Sequence, residues 1–301
     1  MVEERLNLEQ EVQQIFDCVD KGQNFVLSGG AGSGKTYSLV QVIRQGLLEH
    51  PGSNVACITF TNSAVREIKH RFISKKLMVS TIHDFLWDSI KPFQNELKLA
   101  LLTLITEGKI LFSGSGEEAQ PNFAGKKIEY KEYLLLREGI ISHDEVLEVA
   151  AYMFSHHPKL CDILKDRYRF ILVDEYQDTS PLVVEILLTH LAKSRRKHTV
   201  GFFGDSMQAI YEKTVGDLKL YQEAGAVIEI KKEQNRRCPR LVFELANKIR
   251  NDGLVQHASR DKSAPNMVNG AVKEGTVKFF YSEGVANIDA VKKILVGILK
   301  T

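Results

Sequence analysis

Asn24-Phe-Val-Leu-Ser-Gly29-Gly-Ala-Gly-Ser-Gly34-Lys35-Thr36 is an apolar run that ends in a glycine cluster and leads into a helical pattern. From Gly29 it matches G-x-x-x-x-G-K-[ST], the phosphate-binding loop. Glycines let the backbone curl so that N–H groups face phosphate oxygens, and the following helix N-terminus adds partial positive charge. Gly30, Ala31, Gly32, Ser33 and Gly34 would form the cradle. Lys35 would reach the β- and γ-phosphates, and the Thr36 hydroxyl would bind Mg²⁺. The competing reading is a glycine-rich turn without a ligand, and the flanking strand and helix patterns speak against it.

The pattern outward from this loop decides the fold class. Residues 8–20 read as an amphipathic helix opened by Asn7. Lys35 to Leu48 carries helical apolar spacing at Leu39, Val42, Ile43 and Leu47. Val55 to Thr59 reads as a buried strand and Ala64 to Phe72 as a helix. This order predicts an α/β protein with a parallel sheet and crossover helices. From about Pro92 to Arg167 no strong strand appears. Leu97–Leu104 and Val146–Phe154 are helical, and Gly114–Gly125 reads as an exposed loop. Strands resume at Phe170–Val173, Thr199–Phe203 and Val227–Ile230. Leu241–Arg250 reads as a helix, Ala258–Gly275 as a flexible connection, Val277–Tyr281 as a strand, and a helix follows from about Ala286.

Phe170-Ile-Leu-Val-Asp174-Glu175 is a hydrophobic strand ending in two carboxylates, and ligands of open α/β sheets sit at such carboxyl ends. Asp174 would hold Mg²⁺, and Glu175 would polarise the attacking water as general base. Alone, an acidic helix cap explains the pair better; beside the phosphate loop, catalysis does. No Asn-Lys-x-Asp guanine motif follows, which favours ATP over GTP.

The composition sets limits. The 301 residues suffice for about two domains, and a net charge of +2 confines any DNA site to a local groove. Cys18, Cys57, Cys161 and Cys238 lie too far apart for a zinc cluster and suit a reducing cytoplasm. No apolar run reaches membrane-spanning length.

Asp174-Glu-Tyr-Gln-Asp-Thr-Ser-Pro181 closely resembles the DExQD box of UvrD/Rep/PcrA-like superfamily 1 DNA helicases. Five further blocks resemble that family's motifs in order: Leu6 to Gln10, Ile58 to Asn62 with Ala64, Ser80 to Phe85, Gly204 to Tyr211, and Gln234 to Cys238. The resemblance implies a first RecA-like domain at 1–91 and 168–232, a helical insertion at 92–167, and the start of a second RecA-like domain at 233–301. It implies that Gln10 reads adenine, Gln208 senses the γ-phosphate or orients water, and Arg237 is an arginine finger, a device worth roughly 10³–10⁵ in rate. A capping role for Gln10 with Asn7 is also open, as is a salt bridge for Arg237. The resemblance further implies that Phe60 and Tyr211 stack on bases, with Asn62, Thr81 and His83 along the DNA backbone. Core packing for Phe60 and a structural role for His83 stay open.

Three departures stand out. Lys213 and Thr214 replace an aromatic–arginine pair. Tyr37 stands where the family has arginine, and Arg236 where it has an adenine-stacking aromatic. Both a ring and a guanidinium stack on a base, so the adenine clamp could survive with its two sides exchanged. The family's last two motifs find no match, so the chain is expected to be a fragment or a subunit completed by a partner. Two functions follow as expectations. One is an ATP- and Mg²⁺-dependent single-stranded-DNA translocase or helicase of 3′→5′ polarity. The other is a nucleotide- and DNA-binding regulatory or scaffold subunit of a repair or defence (nuclease) complex.

Overall fold

The structure is a computed structural model that describes Arg5, residues 8–112 and 121–279, Tyr281 and residues 292–293. Six strands form one sheet: β1 (Asn24–Gly29), β2 (Val55–Thr59), β3 (Leu77–Thr81), β4 (Phe170–Asp174), β5 (Thr199–Gly204) and β6 (Val227–Lys232), in the order β3-β2-β4-β5-β1-β6. Every neighbouring pair runs parallel. Gly29, Thr59, Thr81, Asp174 and Gly204 therefore end at one edge, where the chemistry of the sequence motifs collects.

Strand side chains alternate between two cores. Phe25, Leu27, Cys57, Phe170, Leu172 and Phe203 face one side, where α1 (Gln10–Asp20), α2 (Lys35–Glu49) and α3 (Asn62–Arg71) cover them. Val26, Ile58, Ile171, Val173 and Phe202 face the other. That side is covered by α4 (Ile82–Ile90), α5 (Gln94–Thr106), α6 (His143–His156), α7 (Pro158–Arg167) and α8 (Pro181–Glu185). The four inner strands are largely buried on both faces, which is why they read as apolar runs. A short helix, α9 (Lys219–Glu223), precedes β6, and α10 (Arg240–Ile249) follows it.

Several sequence expectations change. Leu77–Thr81 was not foreseen as a strand: it is the sheet edge, and only Val79 in it is buried. The segment 92–167 is helical as expected but adds a two-residue ladder pairing Glu129–Tyr130 with Ile140–Ile141. The loop read at Gly114–Gly125 falls largely outside the described residues, and its end buries Phe123. Helix α1 starts at Gln10 behind Glu9, so Gln10 is not at the third helical position that a capping box with Asn7 needs. Asn7 itself and the helix from Ala286 lie outside the described residues, apart from a helical pair at 292–293. Val277–Phe279 is not strand. The connection Ala258–Gly275 is tied down: Asn266 Nδ2 donates to the Asn235 and Cys238 carbonyls, and Met267–Val268 pairs with Ala271–Val272. No helix among the described residues is long and apolar enough to cross a membrane.

At Gly201 in β5 an added Cβ would stand 2.3 Å from the Phe25 ring, which packs edge-on against Phe203 at 5.7 Å. Gly201→Ala should cost about 1–3 kcal/mol through overpacking. Gly52→Ala, where nothing lies within 4 Å, should leave stability unchanged. Thermal melts of the two variants check this.

Candidate active site

The loop between β1 and α2 turns at Gly32 and Gly34, whose φ angles of +85° and +89° disfavour any side chain. Lys35 is buried, and its Nζ donates to the Gly29 carbonyl at 2.8 Å. Burial lowers its pKa, while Glu175, Asp205 and Asp174 oppose that shift. The loop opens onto a cavity of about 710 Å³ lined by Gly32, Lys35, Thr36, Glu175, Gln208 and Arg237, among others. Residues singled out from four separate stretches of sequence thus meet around one space. Behind the loop, buried Lys232 pairs with Glu9 at 2.5 Å, and Ser38 Oγ donates to the same carboxylate at 2.8 Å.

Asp174 is buried at the end of β4. Burial and then the neighbouring Glu175 raise its pKa to about 7, against the pull of Lys35. Its Oδ1 is buried with no hydrogen-bond partner. An unpartnered carboxylate oxygen close enough to Lys35 for each group to shift the other's pKa fits a hard cation that takes its other ligands from water and phosphate, as Mg²⁺ does. Among the described residues no group of three His, Cys, Asp or Glu could cage a metal unaided. Glu175 sits at φ +50°, ψ +50°, a strained setting for a non-glycine residue. That turn aims its carboxylate into the cavity, where Gln177 Nε2 donates to Glu175 Oε2 at 2.8 Å.

The far wall comes from the segment after β6. Asn235 Nδ2 donates to the Ala31 carbonyl at 2.9 Å, and the Arg236 N–H to the Gly32 carbonyl at 2.8 Å. A Cβ at Gly32 would meet Arg237 Cβ at 2.9 Å, so the glycine also permits this approach. Arg236 is braced by Asp261 at 2.5 Å and Glu9 at 3.5 Å. Arg237 lines the cavity and makes no ion pair among the described residues, which leaves its charge to a ligand. Gln208 also lines the cavity but turns its Nε2 to Asp205 at 2.7 Å.

Tyr37 and Arg236 stand together: the guanidinium carbon lies 5.8 Å from the ring centroid. That is less than the two stacking gaps a sandwiched base requires, so Arg236 must swing outward to admit one. Gln10 stands elsewhere. It is exposed and lines a separate groove with Gln14, Gln234 and His257. Its neighbour Glu9 is the residue that faces Arg236.

The presumed DNA residues lie on the same sheet edge. Phe60 and Tyr211 are 38% and 51% exposed, with ring centroids 5.7 Å apart, so Phe60 is not a core aromatic. Asn62 is exposed at the start of α3. Thr81 caps α4, accepting from the Asp84 N–H at 3.2 Å. His83 is half-buried, its ring 4.7 Å from His143, which in turn bonds to the Tyr130 hydroxyl. Burial and His143 lower its pKa. Thr214 Oγ1 donates to the Tyr211 carbonyl at 2.9 Å, closing the turn where the departures from the resemblance lie.

Sequence reasoning missed Gln177, Asp205, Asn235, Arg250 and Gln256, whose Oε1 accepts from Asn235 Nδ2 at 3.3 Å and whose Nε2 donates to the Ala31 carbonyl at 3.4 Å. The first three stand inside quoted motifs, and each works through a bond to backbone or to another side chain. Gln256 and Arg250 stand in no motif, and no pattern in the sequence announces them.

A family model described as an AAA domain (AAA_19) matches residues 13–214. The chain belongs to this family, on its UvrD/Rep/PcrA-like superfamily 1 helicase branch. Among curated relatives of this helicase-family chain, Gabija protein GajB of Bacillus cereus (strain HuB5-5) is 26% identical over 90% of the chain and 52% of GajB. ATP-dependent DNA helicase Rep of Escherichia coli (strain K12) is 29% identical over 78% of the chain and 42% of Rep. The chain thus spans about half the length of these relatives. A crystal structure of Bacteroides sp Pif1 in complex with ADP-AlF4 aligns over 81% of the chain and 46% of Pif1, with 16% identity and a TM-score of 0.37.

The raised Asp174 pKa has a consequence for stability. The folded state holds this proton up to about pH 7, whereas an unfolded Asp releases it near 3.8. The metal-free protein therefore loses stability as pH rises between those values. Asp174→Asn should melt higher than wild type at pH 8 without Mg²⁺ or nucleotide, and the gap should close toward pH 4. Melting curves across that range check the sign.

Proposed function

We propose that this chain is the motor portion of an ATP- and Mg²⁺-dependent single-stranded-DNA translocase or helicase. In this reading residues 1–91 and 168–232 form the first RecA-like domain, 92–167 its helical insertion, and 233–301 begin the second. The observation that carries it is the shared cavity. A lysine for phosphate, a carboxylate base and an unpaired arginine face it, a buried carboxylate for Mg²⁺ directly precedes that base at the end of β4, and the Phe60–Tyr211 ledge lies on the same sheet edge. Nucleotide and strand would then report to each other through the ends of β2, β4 and β5.

The mechanism assigns each group one task. Lys35 leaves the Gly29 carbonyl for the β- and γ-phosphates. Asp174 and Thr36 would hold Mg²⁺, which would neutralise phosphate charge when bound. Glu175 takes the proton of the attacking water, and Arg237 stabilises charge on the transferring phosphoryl group. Closure of the wall bearing Asn235 to Arg237 onto the loop would drive a step along bases stacked on Phe60 and Tyr211. The family likeness supports 3′→5′ polarity and a cytoplasmic setting as part of this reading. The Lys213–Thr214 turn, which lacks the family's aromatic–arginine grip, favours a second reading. There the chain serves as a nucleotide- and DNA-binding regulatory or scaffold subunit of a repair or defence nuclease complex.

ATP hydrolysis with and without single-stranded DNA separates the two. The motor reading expects strong stimulation, and the regulatory one expects binding with little turnover. Lys35→Ala should abolish hydrolysis. Glu175→Gln should bind ATP normally yet turn over at least about a hundredfold more slowly, the scale of general-base catalysis; near-normal turnover would remove Glu175 from that role.

Tyr37→Ala and Arg236→Ala should each weaken ATP binding with saturated turnover largely intact, and Arg237→Ala should lower turnover more than affinity. Loss of saturated turnover in Arg236→Ala would exchange the roles given to the two arginines.

A further inference from the structure

Arg250 follows the last turn of α10, far from every motif. Its Nη1 and Nη2 donate to the two carboxylate oxygens of Asp205 at 2.9 and 2.8 Å, and its Nε donates to Asp252 Oδ1 at 3.0 Å. The pair is buried: the two side chains are 8% and 1% exposed. A buried, two-pronged contact fixes orientation as well as distance, and lysine cannot reproduce it.

The same carboxylate does more than pair. Asp205 Oδ2 accepts from Gln208 Nε2 at 2.7 Å, and Oδ1 accepts from the Met207 N–H at 3.2 Å. The Asp205 N–H donates to Gln177 Oε1 at 3.0 Å, and Gln177 Nε2 donates to Glu175 at 2.8 Å. One unbroken line of hydrogen bonds therefore runs from Arg250 through Asp205 and Gln177 to Glu175, with Gln208 as its branch. Helix α10 buries only Phe243, so apolar packing alone does not set where its C-terminal end lies. The ion pair ties it to the sheet, and two hydrogen bonds between Asn247 and the Gln256 backbone tie it to the following loop.

We propose that Arg250 is a positioning residue that ties the wall after β6 to both the γ-phosphate sensor Gln208 and the base Glu175. Movement of α10 relative to the sheet pulls on Asp205: its carboxylate carries the Gln208 amide, and its backbone N–H carries Gln177 and with it the bond to Glu175. Hydrolysis then waits on the position of the second wall. This inference rests on the roles proposed above for Gln208 and Glu175.

Arg250→Lys keeps the charge and loses the fork. Its kcat should fall about tenfold or more, with the KM for ATP within about threefold of wild type. Its preference for a non-hydrolysable ATP analogue over ADP, measured by equilibrium binding, should fall several-fold, as it should in Gln208→Ala. The double variant should be no worse than the more severe single, because the two residues act as one unit. If Arg250→Lys melts well below wild type, the neutral pair Arg250→Gln with Asp205→Asn replaces it, and the same split is expected. An unchanged kcat and analogue preference, a change in KM alone, or losses that multiply in the double variant would overturn the proposal. A wild-type chain that binds nucleotide without hydrolysing it contradicts the motor reading only, and the analogue preference still decides the role of Arg250.

Discussion

Two hydrogen bonds from the segment after β6 to the phosphate loop hold the site together: Asn235 Nδ2 to the Ala31 carbonyl and the Arg236 N–H to the Gly32 carbonyl. A phosphate loop presents its N–H groups to the ligand and must place its carbonyls elsewhere. Here the Ala31 and Gly32 carbonyls point at the opposite wall. The loop is thereby a hinge contact as well as a cradle, and the wall that carries Arg236 and Arg237 is anchored to the backbone that would grip the phosphates.

The charges around this contact are arranged by depth. Asp174 is buried and unpartnered at Oδ1, with a pKa raised to about 7, so its charged form carries an energetic cost that a neighbouring cation would offset. Asp205 lies nearby but is satisfied. Burial would raise its pKa, yet Arg250 and Gln208 outweigh it and hold the carboxylate below its usual range. Two buried carboxylates a few residues from the same cavity thus differ in kind. One has an oxygen with no hydrogen-bond partner, and the other is engaged by Arg250 and Gln208.

The sheet was legible because its inner strands are largely buried on both faces and read as apolar runs, three of which end in glycine or acid. Only the half-exposed edge strand Leu77–Thr81 escaped, since Ser80 and Thr81 dilute its pattern. The phosphate loop and the Asp174–Glu175 pair were legible because their chemistry demands fixed residues at fixed spacing. Gln10 shows the limit of such transfer: the matching letter stands exposed in another groove, and Glu9 faces Arg236 instead. Arg250 shows the opposite limit. An arginine at a helix end carries no local signal, and its role comes from Asp205, 45 residues away.

Hydrogen–deuterium exchange on binding a non-hydrolysable ATP analogue with Mg²⁺ tests the shared-wall account most directly. Protection is expected together in residues 29–37 and in residues 234–237, with a parallel change around 205–208. Protection of the loop alone, with the segment after β6 unaffected, would contradict it.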